Sequence, residues 1–207
     1  MSEELREVNF GELKLVQWHF DWHGHFFKHL FMKTLKLLPA YILIGLSLSS
    51  CFSGKDWRTA SRESAGIAPI TNEAVLHVYG ANAWGWRGWF AIHTWIATKR
   101  TGEADYTVYD VVGWRGYNGQ PVLRIAQDIP DRHWYGEKPQ IIKEHRGMGV
   151  DELIDAVDKA ARNYPWKTTY KAFPGPNSNT FTAWIAKQVP ELELNLPFSA
   201  IGGGYVD

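Results

Sequence analysis

The chain of 207 residues balances 22 Lys and Arg against 22 Asp and Glu, with 45% hydrophobic residues, 14% aromatic residues and one cysteine. That length allows one globular domain plus something extra. The composition excludes a disordered tail protein, and zero net charge argues against a nucleic-acid binder driven by a basic field. One cysteine excludes an intrachain disulfide framework and a Cys-rich metal cluster. The first element in chain order is apolar. Leu37 to Gly54 carries no charged side chain and follows Lys33 and Lys36. The run is at the lower limit for a bilayer span of roughly 17–25 residues, and Pro39 and a Ser-rich end weaken it as a spanning helix. A basic start, an apolar middle and small residues at its end fit a signal peptide better.

The ending Leu48-Ser49-Ser50-Cys51 resembles the bacterial lipoprotein signal. That resemblance implies a diacylglyceryl group on Cys51, cleavage after Ser50 and a membrane held through the lipid anchor. Several acyl chains on one residue anchor stably where a single chain does not. Phe52 stands where lipoproteins retained at the inner membrane often carry Asp, which points to the outer membrane, facing the periplasm. Met32 makes a normal signal-peptide start, so residues 32–50 are read as the signal and residues 1–31 as an upstream extension. The i,i+4 pairs His19/His23 and His25/His29 lie in that extension, where a metal role would end with its removal. No metal or other cofactor is expected. Removing residues 1–50 takes away five basic and five acidic residues, so the remainder stays neutral, and an acylated Cys51 leaves no thiol nucleophile.

Residues 51–72 read as lipidated Cys and a polar tether, and residues 73–207 as one domain. Strands are predicted at Val75–Tyr79, Trp89–Thr98, Tyr106–Val112 and Val122–Ala126, which are rich in β-branched and aromatic residues. Thr101-Gly102-Glu103 supplies a turn for an antiparallel hairpin. Within Gly147–Tyr164 the period changes: Val150, Leu153, Ile154, Val157 and Ala161 recur at helical spacing, with Asp151 and Glu152 in the first turn. A second helix is expected from Asn177 or Ser178 to Pro190. Strands followed by two C-terminal helices indicate an α+β domain with a small antiparallel sheet.

Two segments repeat: Gly85-Trp86-Arg87-Gly88-Trp89 and Gly113-Trp114-Arg115-Gly116-Tyr117. A hairpin folded near residue 102 puts both at one end. Trp86, Arg87, Trp114 and Arg115 then either stack as structure or form a rim for an anionic or carbohydrate ligand. His93 lies in an otherwise apolar strand, either as a satisfied core histidine or as a catalytic base. Ser178 opens a helix after Pro174-Gly175-Pro176-Asn177, either as part of the cap or as a nucleophile beside free N–H groups.

A His on an early strand with Asn177-Ser178-Asn179-Thr180-Phe181 opening a later helix resembles circularly permuted papain-like proteins, of the NlpC-type and lecithin retinol acyltransferase-like groups. Their motif has Cys where Ser178 stands. The resemblance implies acyl transfer or amide/ester hydrolysis on a cell-wall or lipid-derived substrate, with Ser178 as nucleophile and His93 as base. Asp110 would orient His93 only if the hairpin register shifts by one from a fold centred on residue 102; Asn177 and Asn179 are alternative orienting or ligand-binding groups. The rival expectation is an inactive binding or structural lipoprotein. Asp56-Trp57-Arg58-Thr59-Ala60, Ser64–Pro69, Gly85–Gly88, His93–Ala97, Val111–Arg115 and Gly175–Phe181 more closely resemble the bacterial domain of unknown function 3750 family, over about residues 56–205. That resemblance implies relatedness and lends no activity.

Overall fold

The runs of β-branched and aromatic residues do form strands. The computed structural model describes residues 62–206. The expected extension, the signal peptide, Cys51 and residues 52–61 of the tether lie outside the described residues. Val75–Asn82 (β1), Ile92–Lys99 (β2), Thr107–Val111 (β3), Leu123–Gln127 (β4) and Gln140–Arg146 (β5) build one antiparallel sheet in the order β4-β3-β2-β1-β5. The fold is α+β, with helices in the C-terminal half. They are Val150–Arg162 (α2) and Ser178–Gln188 (α3), preceded by a single-turn helix, Gly113–Tyr117 (α1).

Side-chain alternation gives the sheet two different faces. Leu76, Val78, Ile96, Tyr109 and Val111 point to one face and meet Ile154, Val157 and Ala161 of α2 and Phe181 and Ile185 of α3. Each buried Leu, Val, Ile or Phe among them contributes about 1.5–3 kcal/mol by burial. Val75, Tyr79, Trp95, Ala97, Val108 and Val112 point the other way. Among the described residues no helix covers them; Ile67, Ala68, Trp134 and Tyr135 do, from two irregular segments. Asp131 ties these segments together: its carboxylate accepts from Ser64 Oγ at 2.7 Å and from the N–H groups of Ile67 at 2.7 Å and Ala68 at 3.1 Å.

Two predicted boundaries move. Trp89–Ala91 are not strand: Gly85–Trp89 form a 3-10 turn, β2 begins at Ile92, and Trp89 and Phe90 are exposed. The apolar run extended the strand pattern into residues that the sheet does not bury. β5 has no counterpart among the predicted strands. It is an edge strand bearing Lys143, Glu144 and Arg146, and charges on an edge hide the alternation while blocking edge-to-edge pairing.

Candidate functional site

The β2–β3 register decides which side chains can meet. The pairs Ile96↔Tyr109, Ala97↔Val108 and Thr98↔Thr107 place the hairpin one residue out of register from a fold centred on 102. An odd shift exchanges faces. Asp110 therefore shares the face of His93 as its diagonal neighbour, and His93 Nε2 lies 3.0 Å from Asp110 Oδ1. Arg132, from the irregular segment before β5, reaches the other carboxylate oxygen through Nη2.

All three groups are buried. Burial would raise the Asp110 carboxyl, but the charges of His93 and Arg132 outweigh it and hold the group below its ordinary value. An ionised carboxylate only accepts, so Nε2 carries the His93 proton and donates it. Trp134 lies flat on the imidazole, with ring centroids 3.5 Å apart and planes 4° apart. The Arg132 guanidinium sits 5.5 Å from the Trp95 ring centre and 6.0 Å from that of Trp134. Among the described residues, Arg132 Nη1 has no hydrogen-bond partner.

A cavity of about 390 Å³ opens beside this cluster. Its walls hold Arg62, Arg115, Arg124 and Arg132 together with Trp114, Trp134 and Tyr135. Arg124 and Arg62 share the Asp128 carboxylate, at 2.7 and 3.6 Å. Arg115 Nε donates to the Pro121 carbonyl at 2.8 Å, and Arg115 makes no ion pair among the described residues. With Arg132 set against Asp110, the pocket keeps two more guanidinium groups than carboxylates. Trp114 stacks on Trp134 at 5.7 Å, so the aromatic wall runs on from the His93 platform.

The other predicted site residues distribute as follows. Thr94 Oγ1 donates to Asn179 Oδ1 at 2.9 Å and lies 2.8 Å from Thr182 Oγ1, so Thr94 faces α3. Its neighbour His93 faces the opposite side of the sheet, where it is only 6% exposed beneath Trp134. The structure thus brings His93 to Asp110, while the Ser178 backbone carbonyl lies 3.5 Å from Thr94 Oγ1.

Asn177 caps α3: its Oδ1 accepts from the N–H groups of Asn179 at 3.0 Å and Thr180 at 3.1 Å, and the Thr180 hydroxyl caps it in return. Asn177 Nδ2 donates to the carbonyls of Ala172 and Ile201. Gly202, at φ +98°, leaves the space that this amide fills. Asn179 Nδ2 donates to Ile92 and Ile201 carbonyls. Both asparagines are buried and bonded within the fold, to backbone groups and, for Asn179 Oδ1, to the Thr94 hydroxyl, so they hold the fold.

The repeat copies do lie at one end of the hairpin, but they part company. Trp114 and Arg115 line the cavity, whereas Arg87 stacks on Trp84 and Trp86 outside it. Tyr135 bridges them, its ring 5.9 Å from Trp84 and 5.5 Å from Trp114. Arg62, Arg124, Arg132 and Trp134 were not singled out in the sequence. They carry no motif, and all four reach the site from irregular segments or an edge strand.

No curated protein and no solved structure matches the chain. One family model does: it covers residues 73–205, well over half of the chain and all five strands and three helices described above, so the chain belongs to the family described as "Protein of unknown function (DUF3750)".

Proposed function

We propose that this protein is a binding protein for an anionic ligand, held at the cell envelope by a lipid on Cys51. The observation that carries the reading is the gathering of four guanidinium groups around one aromatic-walled cavity in a chain of zero net charge. Guanidinium groups recognise phosphate and carboxylate with paired hydrogen bonds, and indole walls take the flat or apolar part of the same ligand. Among the described residues, the side chains lining the cavity include no Ser, Thr or Cys, and burial pushes the Tyr135 phenol up to about 12. A weak acid of that strength is a poor nucleophile near neutral pH. Of the two imidazoles nearby, His93 has Trp134 across its ring, and His133, on the cavity wall, has its Nδ1 2.9 Å from the Glu63 carbonyl oxygen. The chemistry on the walls thus supports capture over acyl transfer.

Titration of the full chain in detergent with glycerol 3-phosphate, followed by tryptophan fluorescence, tests this. Saturable quenching is expected from Trp114 and Trp134 with glycerol 3-phosphate and none with glycerol. Arg115→Ala should weaken binding about tenfold, the loss of one charge-assisted contact. Equal responses to glycerol and glycerol 3-phosphate, or unchanged binding in Arg115→Ala, would overturn the reading.

A further inference from the structure

The aromatic residues of the two repeats are not part of either core. Trp84, Trp86, Trp89 and Phe90 before β2, and Trp114 and Tyr117 on α1, all stay exposed, Trp89 at 78% and Tyr117 at 92%. They gather at one end because β2 and β3 are antiparallel neighbours: the first copy precedes β2 and the second follows β3. Contacts join Trp84, Trp86, Phe90 and Trp114 into one surface. Trp86 meets Phe90 at 5.6 Å, Arg87 spans Trp84 and Trp86, and Tyr135 links Trp84 to Trp114 at the cavity wall. An exposed apolar patch of this kind on a folded domain marks a surface that something covers.

The chemistry points to one occupant. Trp and Tyr beside Arg are the side chains that settle at a bilayer interface, with rings at headgroup level and guanidinium groups among phosphates. Arg87, Arg115 and Arg62 supply positive charge at this end, complementary to an anionic leaflet. The chain direction agrees. Arg62 lines the cavity together with Trp114 and Arg115, and Cys51 precedes it by eleven residues. Eleven residues span at most about 40 Å, so an acylated Cys51 keeps this end within reach of the membrane that holds it.

We infer that the aromatic end of the domain seats in the interface of an anionic phospholipid leaflet, so that the arginine-lined cavity opens onto lipid headgroups. The inference rests on the proposed lipid anchor and deepens the anion-binding reading by naming the ligand class as a phospholipid headgroup. The test uses the full chain with Cys51→Ser, which removes the sole thiol, and a bimane label on either Trp89→Cys or Asp155→Cys. Asp155 is exposed on α2, on the helix side of the sheet. Each protein is mixed with vesicles of phosphatidylglycerol and phosphatidylethanolamine doped with a nitroxide-bearing lipid.

Quenching at Trp89→Cys is expected to exceed that at Asp155→Cys by roughly twofold or more, and to fall to the Asp155→Cys level on phosphatidylcholine vesicles. Equal quenching at the two positions would overturn the seat, as it would if a protein partner covers this end instead. Equal quenching of Trp89→Cys on both kinds of vesicle would overturn the anionic preference. Glycerol 3-phosphate binding is measured without vesicles, so the pocket can stand when the seat falls, and the reverse.

Discussion

Asp110 holds the site together through charge. It is fully buried, yet its carboxyl stays ionised between His93 Nε2 and Arg132 Nη2. A buried ion pair is weak evidence of net stability, but removing one partner strands the other. Asp110→Asn should therefore cost about 3–5 kcal/mol in urea unfolding, because Arg132, 3% exposed, loses the carboxylate it is paired with. Adding Arg132→Met to Asp110→Leu should recover part of that loss. A cost below about 1 kcal/mol for Asp110→Asn would mean that the cluster is hydrated and behaves like a surface pair.

The element that shows the same logic without charge is α3. Sequence placed its start correctly and left Asn177 and Ser178 as competing caps. The structure chooses Asn177, whose side chain makes bonds on both sides: two helix N–H groups and two distant carbonyls. Asn177→Ala should cost at least the roughly 2 kcal/mol at the top of the range for caps, since two carbonyl acceptors lose a partner as well. Asn177→Asp keeps the cap but loses both donors, so it should fall between wild type and Asn177→Ala in thermal unfolding. If Asn177→Asp and Asn177→Ala are equally unstable, the two carbonyl bonds dominate and the cap adds little. Ser178, buried at 4%, is the first residue of the same helix.

At the scale of the whole molecule, acid should lower the stability in two stages. Burial lowers the His77 pKa, against the opposing pull of Glu144, whose Oε2 lies 2.6 Å from Nε2. A histidine lowered on folding is protonated first in the unfolded chain, so its stability is complete above about 6.5 and drains as pH falls through the folded value. Asp110 and Asp131 are lowered as well. Burial acts against both, but His93 and Arg132 prevail at Asp110, and Ser64 with the backbone N–H groups of Ile67 and Ala68 prevail at Asp131. Their contribution is present above about 3.9 and is lost as pH falls through their folded values. Thermal midpoints across the acid range should show both stages, and His77→Gln should abolish the upper one. An unchanged slope just below pH ~6.5 in His77→Gln would show that some other group sets that stage.

Composition and local pattern alone determined the α+β class, four of the five strands, both long helices and the convergence of the two Gly-Trp-Arg-Gly copies at one end. Those features depend on side-chain period, turn chemistry and hairpin connectivity, which are local. β5 escaped because an edge strand carries charges where a central one alternates. Family membership was legible as well, from stretches spread along the chain. Tertiary structure alone decided the site. A one-residue register brought Asp110 to the face of His93, and the same alternation turned Thr94 toward α3. Arg132 and Trp134 come from an irregular segment with no periodic signal, and Arg62 and Arg124 become neighbours only through Asp128. A pattern of period two says that neighbours part and alternate residues agree, but only strand pairing says which alternate residues meet.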